Sequence, residues 1–335
     1  MTTVRSVDEQ GYREAADALG IALPVEQLPV WQAYEATIPG REPWGYVLIE
    51  EDGEPVAVAA FMDYETHGYH YLRAHHGPAW AQEPTYAQEQ AAIKALVDHV
   101  RSTDKKVAFI RCAVSEPYES THAVLSTLPY DTTVVVDTTG DEEQILSRFK
   151  TRGRRDVRKS LRECPLATAD ETEQATRDFS EYYDVMVETG ERDGFAPAPK
   201  EDYRSLLEIL GPEHARLFAA RDDEGRLKHW AIDILNAPRA THLYGAMAND
   251  AMRTLGTEKL IFAEMLELNG LGVEAFDLMG IGSNFQPALR GLNTFKTKFA
   301  KEATRVAPDR DIPVKKGFYR ALTGLQNMRK KLRSR

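Results

Sequence analysis

The chain has 335 residues, of which 42% are hydrophobic and 28% charged, and its formal net charge is −10. This length suits two domains, and the composition is that of a globular protein without repeats or low-complexity tracts. The two cysteines lie far apart and show no metal-binding spacing, so we expect neither a disulfide framework nor a metal ion or other cofactor. The N-terminus lacks the apolar core of a signal peptide and no apolar run could span a membrane, which together predict a cytoplasmic protein.

Positive charge is concentrated in two segments. Residues 146–164 carry eight basic and two acidic residues, residues 314–335 carry eight basic and none acidic, and the remainder therefore sums to −24. Two basic segments on an acidic protein predict localised contacts with polyanions rather than general nucleic-acid binding.

The first half is predicted to form a mixed α/β domain over residues 1–144. Residues 46–65 are predicted to be a β-hairpin, because two apolar runs flank the turn signal Glu-Asp-Gly-Glu. A helix is predicted at 87–101, followed by strands at 106–114 and 131–139.

The second half shows a similar order of elements, which suggests a structural duplication with a boundary at 144/145. The predicted helices lie near 173–190, 200–211 and 257–270, and the predicted strands at 215–223, 227–236, 239–248 and 273–281.

A further helix is predicted after Val314. Its apolar residues are spaced 4, 3, 3 and 4 apart and form one stripe: Phe318, Leu322, Leu325, Met328 and Leu332. Two interpretations stay open. The helix packs on the surface of the first domain, or its basic faces meet anionic lipid headgroups as a peripheral contact on the inner face of the plasma membrane.

The segment 293–300, NTFKTKFA, alternates large rings with lysines and a threonine. Alternation at period two predicts a strand with Lys296 and Lys298 on one face. One interpretation is an edge strand that its lysines protect from pairing with other chains. The other is a lysine directed into a functional site.

Five motifs occur in a fixed order from residue 149 onward. They are FKTRGRRDVRKS (149–160), YYDVMVETGERDGF (182–195), HLYGAMAND (242–250), AFDLMGIGSN (275–284) and TFKTKFA (294–300). In this order they resemble the FemABX family of peptidoglycan-bridge aminoacyltransferases, over about half of the chain.

The resemblance implies two GNAT-like (acyl-CoA N-acyltransferase-like) α/β domains in tandem. The first would comprise residues 1–144 with about 306–335 returning to it, and the second residues 145–305. Some family members insert a helical coiled-coil arm into the second domain, but the segment between Glu188 and Ala215 is too short for one. The chain therefore resembles the short members of the family.

The activity that the resemblance implies is transfer of an amino acid from aminoacyl-tRNA to a peptidoglycan precursor. The acceptor would be the stem-peptide amine of lipid II or of UDP-MurNAc-pentapeptide. An activated ester requires alignment and stabilisation of an oxyanion rather than a protein nucleophile. Lys296 is the expected catalytic residue, since its ammonium would meet the acyl-donor end of tRNA or the developing oxyanion.

The resemblance also implies which residues bind the two substrates. We expect Arg192 to bind the precursor diphosphate, although it could instead cap a helix; Tyr244 is expected to contact the precursor, although it could instead be a core residue. Further precursor contacts are expected at Gly77, Pro78, Trp31 and Phe295, although the lysine that follows the family's tryptophan is missing after Trp31. The tRNA acceptor arm is expected to bind Arg152, Arg154, Arg155, Arg158, Lys159 and Lys298.

Two other functions compete with this one. A GNAT enzyme would bind the pyrophosphate of acyl-CoA through R/Q-x-x-G-x-G/A, which residues 253–258, RTLGTE, match except at Glu258. The carboxylate of Glu258 would stand where a phosphate must approach. A non-catalytic tRNA- or membrane-binding protein would also explain the basic segments, but not the FKTKF motif.

Overall fold

The computed structural model describes residues 1–125 and 127–333. The strands are β1 (Thr2–Val7), β2 (Arg41–Glu51), β3 (Glu54–Thr66), β4 (Tyr69–Arg73), β5 (Ala79–Trp80), β6 (Val107–Ala113), β7 (Thr132–Asp137), β8 (Ala167–Asp170), β9 (Ala215–Arg221), β10 (Leu227–Asn236), β11 (Arg239–Met247), β12 (Ala275–Gly280), β13 (Thr304–Arg305) and β14 (Asp309–Pro313).

The helices alternate with these strands in both halves of the chain. They are α1 (Glu9–Ala18), α2 (Pro29–Glu35), α3 (Tyr86–Thr103), α4 (Glu142–Arg148), α5 (Thr151–Glu163), α6 (Thr172–Arg177), α7 (Ser180–Asp193), α8 (Lys200–His214), α9 (Gly256–Gly270), α10 (Arg290–Lys296) and α11 (Lys316–Arg333), and short 3-10 turns occur at Val25–Gln27, Asn249–Ala251 and Pro287–Leu289.

The chain divides into two compact units. The first unit contains Met1–Asp131 and Val306–Arg335, and the second contains Thr132–Arg305. The sequence analysis placed the boundary at 144/145 and the strand near 131–139 in the first domain. That placement is corrected, because β7 pairs with β12 and β13 and therefore belongs to the second unit.

The sheet of the first unit has the order β1-β2-β3-β4-β6-β14, with β5 beside β3. The predicted hairpin is confirmed as β2 and β3, which a two-residue turn at Asp52 and Gly53 connects. Both turn residues have positive φ, which is typical of tight hairpins. Helix α3 begins at a capping box of Thr85 and Gln88 and packs its apolar side on the sheet.

The sheet of the second unit has the order β13-β7-β12-β11-β10-β9-β8. In each unit three consecutive antiparallel strands are followed by one parallel pairing, β4 with β6 and β11 with β12. A helix, α3 or α9, connects the two parallel strands in each case. This common order supports the predicted duplication. The core of the second unit lies between α9 and the sheet, where Leu260, Met265 and Phe276 are buried.

Two predictions of local structure were wrong. The helix predicted near 173–190 is two helices, α6 and α7, because Asp178 interrupts it and its side chain accepts a hydrogen bond from Ser180 N at 2.9 Å. The strand predicted at FKTKF is the end of α10 followed by a turn. Phe295 and Phe299 lie on one side of that segment, with ring centroids 5.5 Å apart, and Phe299 is buried in the core.

Candidate functional site

Helix α5 packs against the segment that follows α10. The backbone carbonyl of Lys298 accepts a hydrogen bond from Lys150 N at 3.1 Å, just before α5 begins. A Cβ on Gly153 would lie 2.2 Å from the same carbonyl oxygen. A glycine is therefore required at this position of α5, and its close approach places the arginine-rich helix beside the FKTKF motif.

A pocket of about 620 Å³ opens between α5, α10 and the N-terminus of α9. Four cations and two carboxylates contribute to its wall, which leaves a formal charge of +2. The N-terminus of α9 adds a partial positive charge from the aligned peptide dipoles. Anionic groups are therefore favoured in this pocket. Its lining residues are Arg152, Arg155, Asp156, Lys159, Leu255, Glu258, Gly291, Thr294, Phe295 and Lys298.

The structure separates the residues predicted to bind tRNA into two groups. Arg152, Arg155, Lys159 and Lys298 line the pocket together. Arg154 instead donates to the carbonyl of Phe149 at 2.5 Å, at the start of its own helix. Arg158 donates to Glu143 at 2.6 Å, although about half of its side chain stays exposed.

Lys298 is a buried residue of the pocket wall rather than a surface cation. Its Nζ lies 2.5 Å from Glu258 Oε1 and 3.9 Å from Asp156 Oδ2. The ammonium also lies over the ring of Phe295, 4.4 Å from the centroid. This ammonium therefore neutralises Glu258, the residue that departs from the pyrophosphate-binding pattern.

Lys296 points away from this pocket, toward the end of β12. Its Nζ donates to the carbonyl oxygen of Gly280 at 3.2 Å. Burial lowers the pKa of Lys296 to about 8, and the nearby Asp277 carboxylate opposes the shift. Two hydrogen bonds between the Asn293 amide and the backbone of Gly282, at 2.7 and 2.9 Å, hold α10 against the loop after β12.

The parallel strands β11 and β12 diverge toward their C-terminal ends. In the described sheet they pair from Arg239 with Ala275 to Thr241 with Asp277. Tyr244 lies on β11, three residues after Thr241 of the last pair. Gly280 lies on β12, three residues after Asp277 of that pair, and its carbonyl accepts the hydrogen bond from Lys296. Tyr244 thus lies on one of the two strands that border this opening, and Lys296 of α10 is hydrogen-bonded to the other through Gly280.

A β-bulge in β11 determines which way Tyr244 faces. Ile232 pairs with Tyr244 and Asp233 pairs with His242, so Leu243 is an extra residue. The bulge therefore places His242 and Tyr244 on opposite faces of the sheet. The Tyr244 ring packs edge-on against Tyr203 of α8, with centroids 5.0 Å apart.

Arg192 lies in the last turn of α7. Its Nη1 donates to the carbonyl of Met247 at 2.7 Å and to Asn249 Oδ1 at 3.0 Å. Its Nε and Nη2 contact the Asp193 carboxylate at 3.0 and 3.2 Å. In this arrangement the guanidinium joins the end of α7 to the end of β11, and binding of a diphosphate would require Asp193 to be displaced.

The first unit contains the remaining predicted substrate contacts. Trp31 is buried in α2, and its ring packs edge-on against His75, with centroids 6.0 Å apart. The carbonyl of Gly77 accepts a hydrogen bond from Ala113 N at 2.8 Å, and Pro78 follows it in the loop before β5. A Cβ on Gly77 would lie 2.8 Å from the amide of Gln27. The role of these residues as substrate contacts stays a prediction.

Sequence reasoning missed the carboxylates that complete the pocket. Asp156 lies inside the arginine-rich motif, and Glu258 was identified only as an obstacle to phosphate. The spacing of Asp156 four residues after Arg152 could have indicated a helical ion pair, and their closest atoms are 3.5 Å apart. No local signal links Glu258 to Lys298, because their contact is formed between two distant helical segments.

Comparison with known proteins establishes the fold. No protein-family model matches the chain, and no curated protein matches its sequence. The solved structure of FemX is similar over 95% of this chain and 99% of its own, with a TM-score of 0.74 and 15% identity. The C-terminal domain of a putative lysylphosphatidylglycerol synthetase from Agrobacterium fabrum is similar over 96% of this chain and 97% of its own, with a TM-score of 0.55 and 15% identity.

A third solved structure is a tandem GNAT protein from the clavulanic acid biosynthesis pathway. It is similar over 94% of this chain and 99% of its own, with a TM-score of 0.51 and 11% identity. The chain therefore has a mixed α/β fold of two GNAT-like domains in tandem, as the sequence analysis predicted.

Proposed function

We propose that this protein is a FemABX-like aminoacyltransferase. It transfers an amino acid from aminoacyl-tRNA to the stem-peptide amine of a peptidoglycan precursor, lipid II or UDP-MurNAc-pentapeptide. The similarity to FemX over nearly the whole of both chains supports the proposal, as do the five motifs in order. The observation that carries it is the cationic pocket beside the FKTKF motif.

This pocket fits the phosphates at the acceptor end of a tRNA. Arg152 and Arg155 are mostly exposed at its rim, with 60% and 73% of their side chains accessible, so they can reach a backbone that stays outside. Phosphate and dipole contacts would thus hold the end of the donor in the second unit.

The proposed reaction needs little covalent participation by the protein. The precursor amine attacks the ester carbonyl, a C–N bond forms, the ester C–O bond breaks, and one proton passes from the amine to the departing ribose oxygen. The main obstacle is negative charge on the carbonyl oxygen in the tetrahedral intermediate. A cation fixed beside the opening between β11 and β12 would reduce that obstacle.

Lys296 is the residue proposed to supply this charge. The ammonium is half-buried, and the Gly280 carbonyl orients it. Because its pKa is lowered to about 8, most of the lysine is charged at neutral pH, but it is not permanently charged. Lys298, in contrast, is committed to Glu258 and contributes to the pocket wall, so we propose that it organises the tRNA site and does not itself bind the phosphates.

The structure also bears on the acyl-CoA alternative. The ion pair with Lys298 neutralises Glu258, so this carboxylate repels phosphate less than the sequence suggested. The tandem GNAT neighbour keeps this alternative open for experiment. The lysylphosphatidylglycerol synthetase neighbour favours a second class of acceptor, a lipid, to which the amino acid would pass.

One experiment distinguishes these acceptors and donors. The purified protein is incubated with each donor, a panel of aminoacyl-tRNAs or acetyl-CoA, together with one acceptor, UDP-MurNAc-pentapeptide, lipid II or phosphatidylglycerol, and products are identified by mass. A precursor whose mass increases by one aminoacyl residue supports the proposal. Transfer to phosphatidylglycerol alone, or transfer from acetyl-CoA but from no aminoacyl-tRNA, would overturn it. The variant K296M is the matched control for non-enzymatic aminolysis.

We further propose that α11 contacts an anionic membrane surface, where a lipid-linked acceptor would be found. None of the helices in the described residues is long and apolar enough to cross a membrane. Tyr319 of α11 is buried, whereas Phe318, Leu325 and Met328 are 43%, 56% and 56% exposed. The segment from Val314 carries eight basic and no acidic residues, so its charge complements anionic headgroups.

A further inference from the structure

A polar cluster lies inside the second unit, on the face of the sheet opposite Tyr244. It consists of Asp233 on β10, His242 on β11 and Glu264 on α9. One ligand atom of each residue lies within 4.8 Å of the other two. The carboxylate side chains are 0% exposed and the imidazole is 20% exposed. Nothing in the proposed aminoacyl transfer uses these residues.

The cluster leaves buried oxygens without partners. Both carboxylate oxygens of Asp233 and the Oε1 of Glu264 have no hydrogen-bond partner among the described residues. His242 Nδ1 is 2.9 Å from Glu264 Oε2, and it lies 3.2 Å from Asp233 Oδ1 without the angle of a hydrogen bond. A buried polar atom without a partner is costly, and three in one cluster indicate a missing positively charged partner.

The charges of the cluster are also unbalanced. Two buried carboxylates face one imidazole, which can neutralise at most one of them. A divalent cation would neutralise both carboxylates at once and leave the imidazole neutral.

We propose that Asp233, His242 and Glu264 bind a divalent transition-metal ion, with zinc as the expected ion. One imidazole nitrogen and two carboxylate oxygens are a donor set that zinc accepts. Zinc bonds of about 2.0 to 2.1 Å in tetrahedral geometry separate neighbouring ligand atoms by roughly 3.4 Å. The observed separations of 2.9 and 3.2 Å from Nδ1 require only a small expansion to admit the ion.

Rigid elements hold the three ligands. Asp233 and His242 are directly paired residues of two antiparallel strands, and the bulge at Leu243 turns His242 toward α9. Glu264 lies in the middle of α9, between the buried residues Ile261 and Leu268. The ion would therefore join three elements behind the strand that carries Tyr244. The second oxygen of Asp233 or a water molecule would complete the coordination.

The proposal predicts zinc binding and a zinc-dependent stability. The full chain is dialysed against a chelator and then titrated with zinc chloride, and its bound zinc and melting temperature are measured. One zinc per chain and a higher melting temperature are expected, because a ligand that binds the folded state stabilises it. Absence of bound zinc, or an unchanged melting temperature, would overturn the proposal.

Variants locate the ion. D233N and E264Q should lose the bound zinc and the zinc-dependent shift, whereas E267Q, a change at an exposed carboxylate of the same helix, should keep both. Equal zinc binding by all three variants would contradict the assignment.

Cobalt titration of the unaltered chain gives a second measurement that does not depend on the folding of variants. Cobalt bound by four or five ligands at this site should absorb visible light intensely. Absorption as weak as that of hydrated cobalt in water would refute the proposed site. The outcome does not depend on the proposed aminoacyl transfer.

Discussion

The ammonium of Lys298 lies 2.5 Å from the Glu258 carboxylate, and both side chains are almost fully buried in the wall of the cationic pocket. This pair neutralises the carboxylate nearest the N-terminus of α9 and fixes the segment that carries Lys296. Lys298 therefore has a structural role in the pocket wall, whereas Lys296, two residues earlier, is left for the proposed catalytic role.

We expect K298M to destabilise the protein by about 2 to 4 kcal/mol, because it leaves Glu258 without its buried partner. Urea denaturation measures the loss. K301M, at an exposed lysine nearby, is the matched control and should change little. The double variant K298M/E258Q should recover part of the stability. Equal stability of K298M and K301M would show that the ion pair is dispensable.

K296M is expected to stabilise the protein near neutral pH while abolishing transfer. Burial lowers the pKa of Lys296 from 10.5 to about 8, so holding its charge costs free energy below pH 8. This cost is relieved between pH 8 and pH 10.5, where the unfolded chain binds more protons than the folded one. The gain in unfolding free energy should therefore be on the order of 1 to 3 kcal/mol at pH 7 and vanish near pH 10.5. A K296M variant less stable than the parent at pH 7 would contradict this account.

The rate of transfer should fall as the pH rises through about 8, since the proposed catalytic ammonium then loses its proton. The measurement is single-turnover transfer from a saturating donor between pH 6.5 and 9.5. K296R provides the control, because a guanidinium stays charged over this range. Its rate is expected to be lower, through altered geometry, but without the alkaline decline. If the rate of K296R declines with pH in the same way, deprotonation of Lys296 does not cause the decline.

Removal of the pocket cations should weaken tRNA binding and its dependence on salt. Each lost phosphate contact is expected to reduce the slope of log affinity against log salt by about 0.7 to 0.9. Fluorescence binding at several salt concentrations measures the slope for R152Q/R155Q/K159Q. Its matched control is R13Q/R101Q/R177Q, which removes the same charge from exposed arginines outside the pocket. Equal slopes for the two triple variants would place the tRNA elsewhere.

Replacement of the exposed apolar residues of α11 should reduce binding to anionic vesicles. F318S/L325S is preferable to truncation, because Tyr319 of the same helix is buried and donates to Asp311 at 3.0 Å. L271S, at an exposed leucine in the second unit, is the control. Co-sedimentation with vesicles containing phosphatidylglycerol should decrease for F318S/L325S alone. Retention equal to the parent, or equal retention on zwitterionic vesicles, would argue against the contact.

Local patterns in the sequence were sufficient for the β2–β3 hairpin and for helices α3, α8 and α9. The turn at Asp52 and Gly53 and the apolar residues of α3 and α9 are local features of the sequence, so their prediction succeeded. The strand prediction at FKTKF failed because Phe295 and Phe299 are four residues apart. That spacing puts both rings on one face in a strand of period two and also in a helix of period 3.6. The rings lie together in either structure.

Long-range contacts decided what the sequence did not reveal. The strand β7 lies in the second sheet because of its pairing with β12, and nothing in its own residues indicates that partner. The neighbouring sequence likewise does not indicate the pairing of Glu258 with Lys298 or of Asp233 with Glu264, because the two residues of each pair lie in different elements. The sequence analysis grouped Arg152, Arg155 and Lys159 with other basic residues of the same segment, and the structure shows that these three line one pocket.

The last strand of the first sheet, β14, follows the whole of the second unit along the chain. It covers β6, and Asp311 supplies the buried carboxylate for Arg111 through bonds of 2.7 and 3.1 Å. During synthesis the N-terminal domain must therefore wait, with an open sheet edge and without the carboxylate of Asp311, until the ribosome has finished the other domain. Its maturation is tied to synthesis of the second unit, so a product terminated before β14 would be left with an incomplete N-terminal domain.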